Sequence, residues 1–128
     1  MPTWQPVLDR LTKLRATWPG EPWTWDGRFA TVASVFASGD EAAARASAQL
    51  AFPQGFTARS IATAPAPLVA FAERTGLRAN QRLLAGDAGL FGMWWPWGNN
   101  EKVTLRIGLL DLDGATEPML RLRALFGV

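Results

Sequence analysis

A chain of 128 residues with 48% hydrophobic and 19% charged residues is expected to fold as one globular domain over residues 1–128 rather than stay disordered. It has no cysteine, histidine or tyrosine, which excludes disulfides, thiolate or imidazole catalysis and cysteine-ligated zinc. The pI of about 9.9 is no nucleic-acid signature: the formal net charge is only +2, and with nothing titrating between the carboxylates and the lysines a small cationic excess carries the pI high.

The opening residues carry no apolar core of signal-peptide length, and no apolar run approaches the roughly 18 residues of a membrane span. The expectation is a soluble, cytoplasmic protein without a membrane segment. Eleven of the 13 cations are arginine, which together with the alanine richness suggests a bacterial source.

In chain order, Trp4, Val7, Leu8, Leu11, Leu14 and Trp18 fall at helical spacing, with Thr3 as the N-cap and a proline–glycine stop after Trp18. Packing is expected through Trp4, Leu8, Leu11 and Leu14, with Arg10 and Lys13 outside. Pro22 to Ala37 reads as a β-hairpin about Asp26-Gly27, a two-residue turn signal that sets Trp25 opposite Arg28 and Trp23 opposite Ala30. Ser38 and Glu41 have capping-box spacing at the head of an alanine-rich helix. Phe56 to Ala64 alternates weakly, as a strand would. Pro65 and Pro67 suit the first turn of a helix that Gly76 ends. Two short strands flank the turn from Gly86 to Gly89, and Lys102 to Asp111 is the clearest strand of the chain. Thr116 can cap a last helix with Met119, Leu122, Leu125 and Phe126 on one side. The predicted order is α-ββ-α-β-α-βββ-α: an α+β fold with a mostly antiparallel sheet of five or six strands and about four helices.

Leu109 to Thr116, LLDLDGAT, resembles the first motif of haloacid-dehalogenase-like phosphatases, in which Asp111 would be the nucleophile and Asp113 the acid/base. Ala115 stands where that family has threonine. The family's fold needs a large α/β domain after the motif, whereas 12 residues follow Thr116. The expected reading is a strand leaving the sheet through an Asp-Gly turn into a capped helix. Asp111, Asp113 and Glu117 also fall short of the oxygen ligands of a calcium loop. The glycine-bearing turns lack phosphate-loop or dinucleotide spacing. No catalytic residue, metal site or cofactor is expected.

The unusual feature is FGMWWPWGNNEKVTLRIGLLD, Phe91 to Asp111. A two- or four-residue turn at Asn99-Asn100 sets Trp94 opposite Leu105 and Gly92 opposite Ile107 on an inward face. Met93, Trp95 and Trp97 then share the other face with Arg106, Thr104 and Lys102. A three- or five-residue turn would reverse this. If both hairpins turn at the same end of one sheet, Trp23, Trp25 and Arg28 join that face. An aromatic rail interleaved with cations has the composition of a binding hot spot. The leading expectation is therefore a non-enzymatic protein-binding module: an immunity, chaperone or adaptor-type protein, or a self-associating subunit, meeting a protein partner or a second copy of itself. Its candidate residues are Trp95, Trp97, Arg106, Lys102, Met93, Trp23, Trp25 and Arg28. The alternatives are a tryptophan- and arginine-lined pocket for a small ligand, and single-stranded nucleic-acid binding. The small net charge argues against the last.

Overall fold

The computed structural model describes residues 4–110 and 116–128. Their order is α1 (Trp4–Thr17), β1 (Thr24–Asp26), β2 (Thr31–Ala37), α2 (Glu41–Gln49), β3 (Gln54–Phe56), α3 (Ala66–Thr75), β4 (Arg82–Ala85), β5 (Leu90–Pro96), β6 (Lys102–Leu109) and α4 (Glu117–Phe126). This is the α+β layout anticipated above. The six strands form one sheet in the order β1-β2-β6-β5-β4-β3, with every neighbouring pair antiparallel. The sheet is thus two halves, β1-β2 and β6-β5-β4-β3, joined by the long-range pairing of β2 with β6, and α3 lies in the connection between β3 and β4. The edge strands β1 and β3 are three residues each, which leaves little free ladder for another chain to extend.

Strand alternation divides the apolar residues between two layers. One face carries Val32, Phe36, Leu90, Trp94, Val103, Leu105, Ile107 and Leu109. It packs against Val7, Leu11 and Leu14 of α1, Ala44 and Ala48 of α2, and Met119, Leu122 and Phe126 of α4. The other face offers Leu83, Phe91 and Met93 to Leu68, Phe71 and Ala72 of α3. Three helices therefore cover the first face and a single ten-residue helix the second. At 1.5 Å per residue that helix is only about 15 Å long, too short to roof the whole sheet.

Several local expectations need correction. The first hairpin pairs Asp26 with Thr31 and Trp25 with Val32, so its loop is the four residues 27–30 and not the pair Asp26-Gly27. The Asp26 side chain accepts the Arg28 N–H at 3.0 Å, Ala30 takes the left-handed conformation at φ 52°, and Phe29 packs onto the second-face core. These three features together favour the wider loop. The Ser38–Glu41 capping box does not form. Ser38 opens a 3₁₀ turn instead, donates its N–H to Glu101 O at 2.9 Å and its Oγ–H to Asn100 O, and so clamps the β5–β6 loop. The strand expected from Phe56 to Ala64 is only Gln54–Phe56. Beyond it Thr57 and Ser60 close a turn, Thr57 N–H to Ser60 Oγ at 2.9 Å, and Ile61–Thr63 is 3₁₀. On α1 the buried positions are Val7, Leu11 and Leu14, with Leu8 half-buried. The expectations for Thr3, Asp111 and Asp113 lie outside the described residues.

Candidate functional site

The β5–β6 hairpin has the wider of the two loops that preserve its parity. Pro96 pairs with Val103, Trp95 with Thr104 and Trp94 with Leu105. The Trp97 N–H bonds Lys102 O at 2.9 Å, which leaves a four-residue loop, 98–101. Asn100 supplies the left-handed residue at φ 58°, and the Asn99 side chain accepts the Glu101 N–H at 3.0 Å. Both asparagines thus have a conformational reason to sit there.

This parity sends Trp94 inward, where it is 4% exposed and its ring lies 5.0 Å from that of Phe36. Phe91, Met93, Trp95 and Trp97 follow one another on the second face. Exposure rises along that row as α3 is left behind: Phe91 and Met93 are buried, Trp95 is half-buried and Trp97 is 41% exposed. Trp97 is nonetheless held in place. Its indole Nε1–H donates to Thr104 Oγ1 at 2.9 Å, and the Lys102 ammonium stands 5.4 Å from its ring centroid. Lys102 also reaches Glu21 Oε1 at 3.5 Å. Across β6, Thr104 pairs with Val35 and Arg106 with Ala33; Val35 and Ala33 are half-buried. The open end is therefore a strip of Trp95, Trp97, Thr104 and Val35, bordered by Lys102 and Glu21.

The remaining candidates are placed elsewhere. Met93, at 0% exposure, is core beneath α3 and cannot meet a partner from there. Arg106 does not stack on Trp95. It donates to Asp26 Oδ2 at 2.7 Å and lies 5.4 Å from the Phe29 ring, and both side chains of the pair are only about a fifth exposed. Burial pushes the Asp26 carboxyl up, but the hydrogen bond and charge of Arg106 and the backbone N–H groups of Arg28 and Phe29 outweigh it, so its pKa lies below the ordinary 3.8. Arg28 is exposed and lies 4.9 Å from the Phe29 ring.

The expected tryptophan cluster does not form. Trp23 and Trp25 belong to the first-face layer, Trp23 with Trp18 at 5.3 Å and Phe126 at 4.5 Å, Trp25 beneath Arg123 at 4.2 Å. The two hairpin loops also lie at opposite ends of the sheet, because Val32 pairs with Ile107 while Ala37 pairs with Lys102. Sequence reasoning overlooked Val35, Ala33 and Glu21. Only the β2–β6 pairing brings them to the open end, and nothing local in either strand announces it.

No helix among the described residues is long and apolar enough to cross a membrane. Among the described residues no group of three or more acidic, histidine or cysteine side chains converges as a metal site would. Comparison of the chain with protein-family models, with curated proteins and with solved structures gives no match.

Proposed function

We propose that this chain is a non-enzymatic protein-binding module that meets a protein partner or a second copy of itself through the open end of the β5–β6 hairpin. The observation that carries the reading is Trp97: a large aromatic side chain 41% exposed yet fixed by its own hydrogen bond to Thr104. Ordering an exposed tryptophan in advance lowers the entropy lost on association, and buried tryptophan and arginine anchors dominate binding energies. Trp95, Val35 and Ala33 extend the apolar centre, with Lys102 and Glu21 as a charged rim, the usual arrangement of an interface. Among the described residues the other large apolar side chains with comparable exposure stand singly, Leu50 just past the end of α2 and Leu120 on α4, as scattered surface leucines commonly do. The reading as a non-enzyme is supported by the lack of imidazole and thiol and by the engagement of Asp26 with Arg106.

The test places a photo-crosslinking residue at Trp97 and, separately, at Leu120 on the opposite layer, and analyses both in cells and by sedimentation of the purified chain. Crosslinks from position 97 with none from 120 are expected. Trp97→Ala should weaken that association by about 2 kcal/mol or more while lowering folding stability by only about 1 kcal/mol, the worth of its hydrogen bond. Trp94→Ala should cost about 3–5 kcal/mol in urea unfolding. Equal crosslinking from both positions, or none from 97, would remove the proposal.

A further inference from the structure

On the first face, α2 leaves a gap over the β3-β4-β5 edge of the sheet. The cause is compositional. The helix is EAAARASAQ, so its sheet-facing side chains, Ala44 and Ala48, are the smallest available. Below it Gly55 pairs with Leu84, and Leu84 with Gly92, so the strands add little bulk at that level. What remains is an open-mouthed cavity of about 280 Å³. Its apolar wall is Phe52, Leu84 and Trp94. Its polar lining residues are Arg45 of α2 and Arg82 of β4, on different elements, with Gln49, Gln54 and Thr57.

The charge arrangement is one-sided. No acidic residue lines the cavity among the described residues. Arg45 has only a loose, exposed contact with Glu41 at 3.4 Å, four residues back on the same helix. The Arg82 guanidinium has no ion pair or hydrogen bond among the described residues, although the residue is half-buried. Two arginines lining one cavity, with no acidic residue among its described lining residues, favour an anion there. A guanidinium fork matches carboxylate and phosphate oxygens two at a time.

We infer that this cavity is a binding site for a small organic anion, a ring-bearing acid whose ring meets Leu84 and the small accessible edges of Trp94 and Phe52, 4% and 3% exposed, and whose carboxylate or phosphate head is held by Arg45 and Arg82. The volume of about 280 Å³ lies just below the roughly 300–1,000 Å³ typical of small-molecule sites, which suits one ring system and its acid group and excludes a dinucleotide. The site stands apart from the Trp97 strip: Trp94 and Trp97 face opposite sides of the sheet, so either site can fail without the other.

The probes are indole-3-acetate and phenyl phosphate, with neutral indole-3-acetamide as control. They are titrated at up to millimolar concentration into protein labelled at its tryptophan indole nitrogens, each resonance being assigned by a Trp→Phe variant. One or both acids should shift the Trp94 signal and leave that of Trp97 in place, and their relative affinities identify the head group. The amide should bind at least about ten-fold more weakly, since it forfeits the charge-assisted hydrogen bonds. Arg82→Gln and Arg45→Gln should each weaken acid binding by about ten-fold or more; Arg45 is exposed on its helix, so that variant folds even where Arg82→Gln does not. Ala48→Leu should fill the cavity and abolish binding. Failure of both acids to move Trp94, equal binding of acid and amide, or unchanged affinity in Arg45→Gln would each overturn the inference.

Discussion

Asp26 and Arg106 are 80 positions apart and meet at 2.7 Å on the second face of the sheet. Asp26 stands on β1 opposite Thr31, and Arg106 on β6 opposite Ala33, so the pair spans β2 and ties an edge strand to the centre. Because only about a fifth of each side chain meets water, this contact is less screened than a surface ion pair. Its pH dependence has a definite sign. The folded carboxyl has a pKa below the ordinary 3.8, so its stabilisation is present above that value and is lost as the pH falls through the folded pKa. Asp26→Asn should therefore lower the urea midpoint at neutral pH and lose that deficit progressively as the pH falls below 3.8 and through the folded pKa. A deficit independent of pH would mean that shape, and not charge, is what Asp26 contributes. None of this was legible beforehand. The sequence pointed Arg106 at the tryptophan rail by parity alone, whereas the partner it finds depends on which strand lies on the far side of β6.

Among the elements, α1 is the clearest case of periodicity specifying a packing face. Val7, Leu11 and Leu14 recur at intervals of four and three, and all three are buried. The same helix also makes polar contacts that no apolar pattern can announce: Thr17 Oγ1 lies 2.7 Å from Ser47 Oγ of α2, and the Arg15 guanidinium donates to Leu125 O at 2.8 Å near the end of α4. Leu11 is wholly buried, so Leu11→Ala should cost about 2–5 kcal/mol, whereas Lys13→Ala, on the exposed side, should stay within about 0.5 kcal/mol. Chemical denaturation distinguishes these, and a small loss at Leu11 would mean that the helix docks by another face. Turn chemistry was a weaker guide than periodicity. Asp26-Gly27 signalled a tight turn, but the burial of Phe29 and the left-handed Ala30 moved the loop to residues 27–30. Asn99-Asn100 signalled the right place, with the loop one residue wider on each side. In both hairpins the shift preserves parity, so the side chains keep their faces.

For the whole molecule, one sheet is shared by two apolar layers, and β4 and β5 contribute to both: Leu84, Leu90 and Trp94 to the first, Leu83, Phe91 and Met93 to the second. Phe71 on α3, 8% exposed and 4.7 Å from Phe91, should therefore be thermodynamically coupled to the α1 layer through β5, which carries residues of both layers. Phe71→Ala is expected to lower the same single unfolding transition that Leu11→Ala lowers, by about 3–5 kcal/mol, with far-UV circular dichroism and tryptophan fluorescence changing together. Loss of the α3 layer in a separate, earlier step would show that the two faces unfold independently. The pairing of β2 with β6 closes a loop of most of the chain, the kind of non-local contact that slows folding.

By itself the sequence determined the order and type of the ten main elements, the antiparallel character of the hairpins and the inward turn of Trp94. These follow from short-range rules: a period near 3.6 or of 2, the residues each turn tolerates, and the parity of one loop. Only the tertiary structure decided that β2 lies beside β6 and that the two hairpin loops point to opposite ends. It also decided that Trp23 and Trp25 join the layer away from Trp97, and that α3 covers Met93 but stops short of Trp97. Those outcomes rest on which distant segments share a face and how far a ten-residue helix reaches. Exposure is a property of such neighbours, so no window of sequence around a tryptophan contains it.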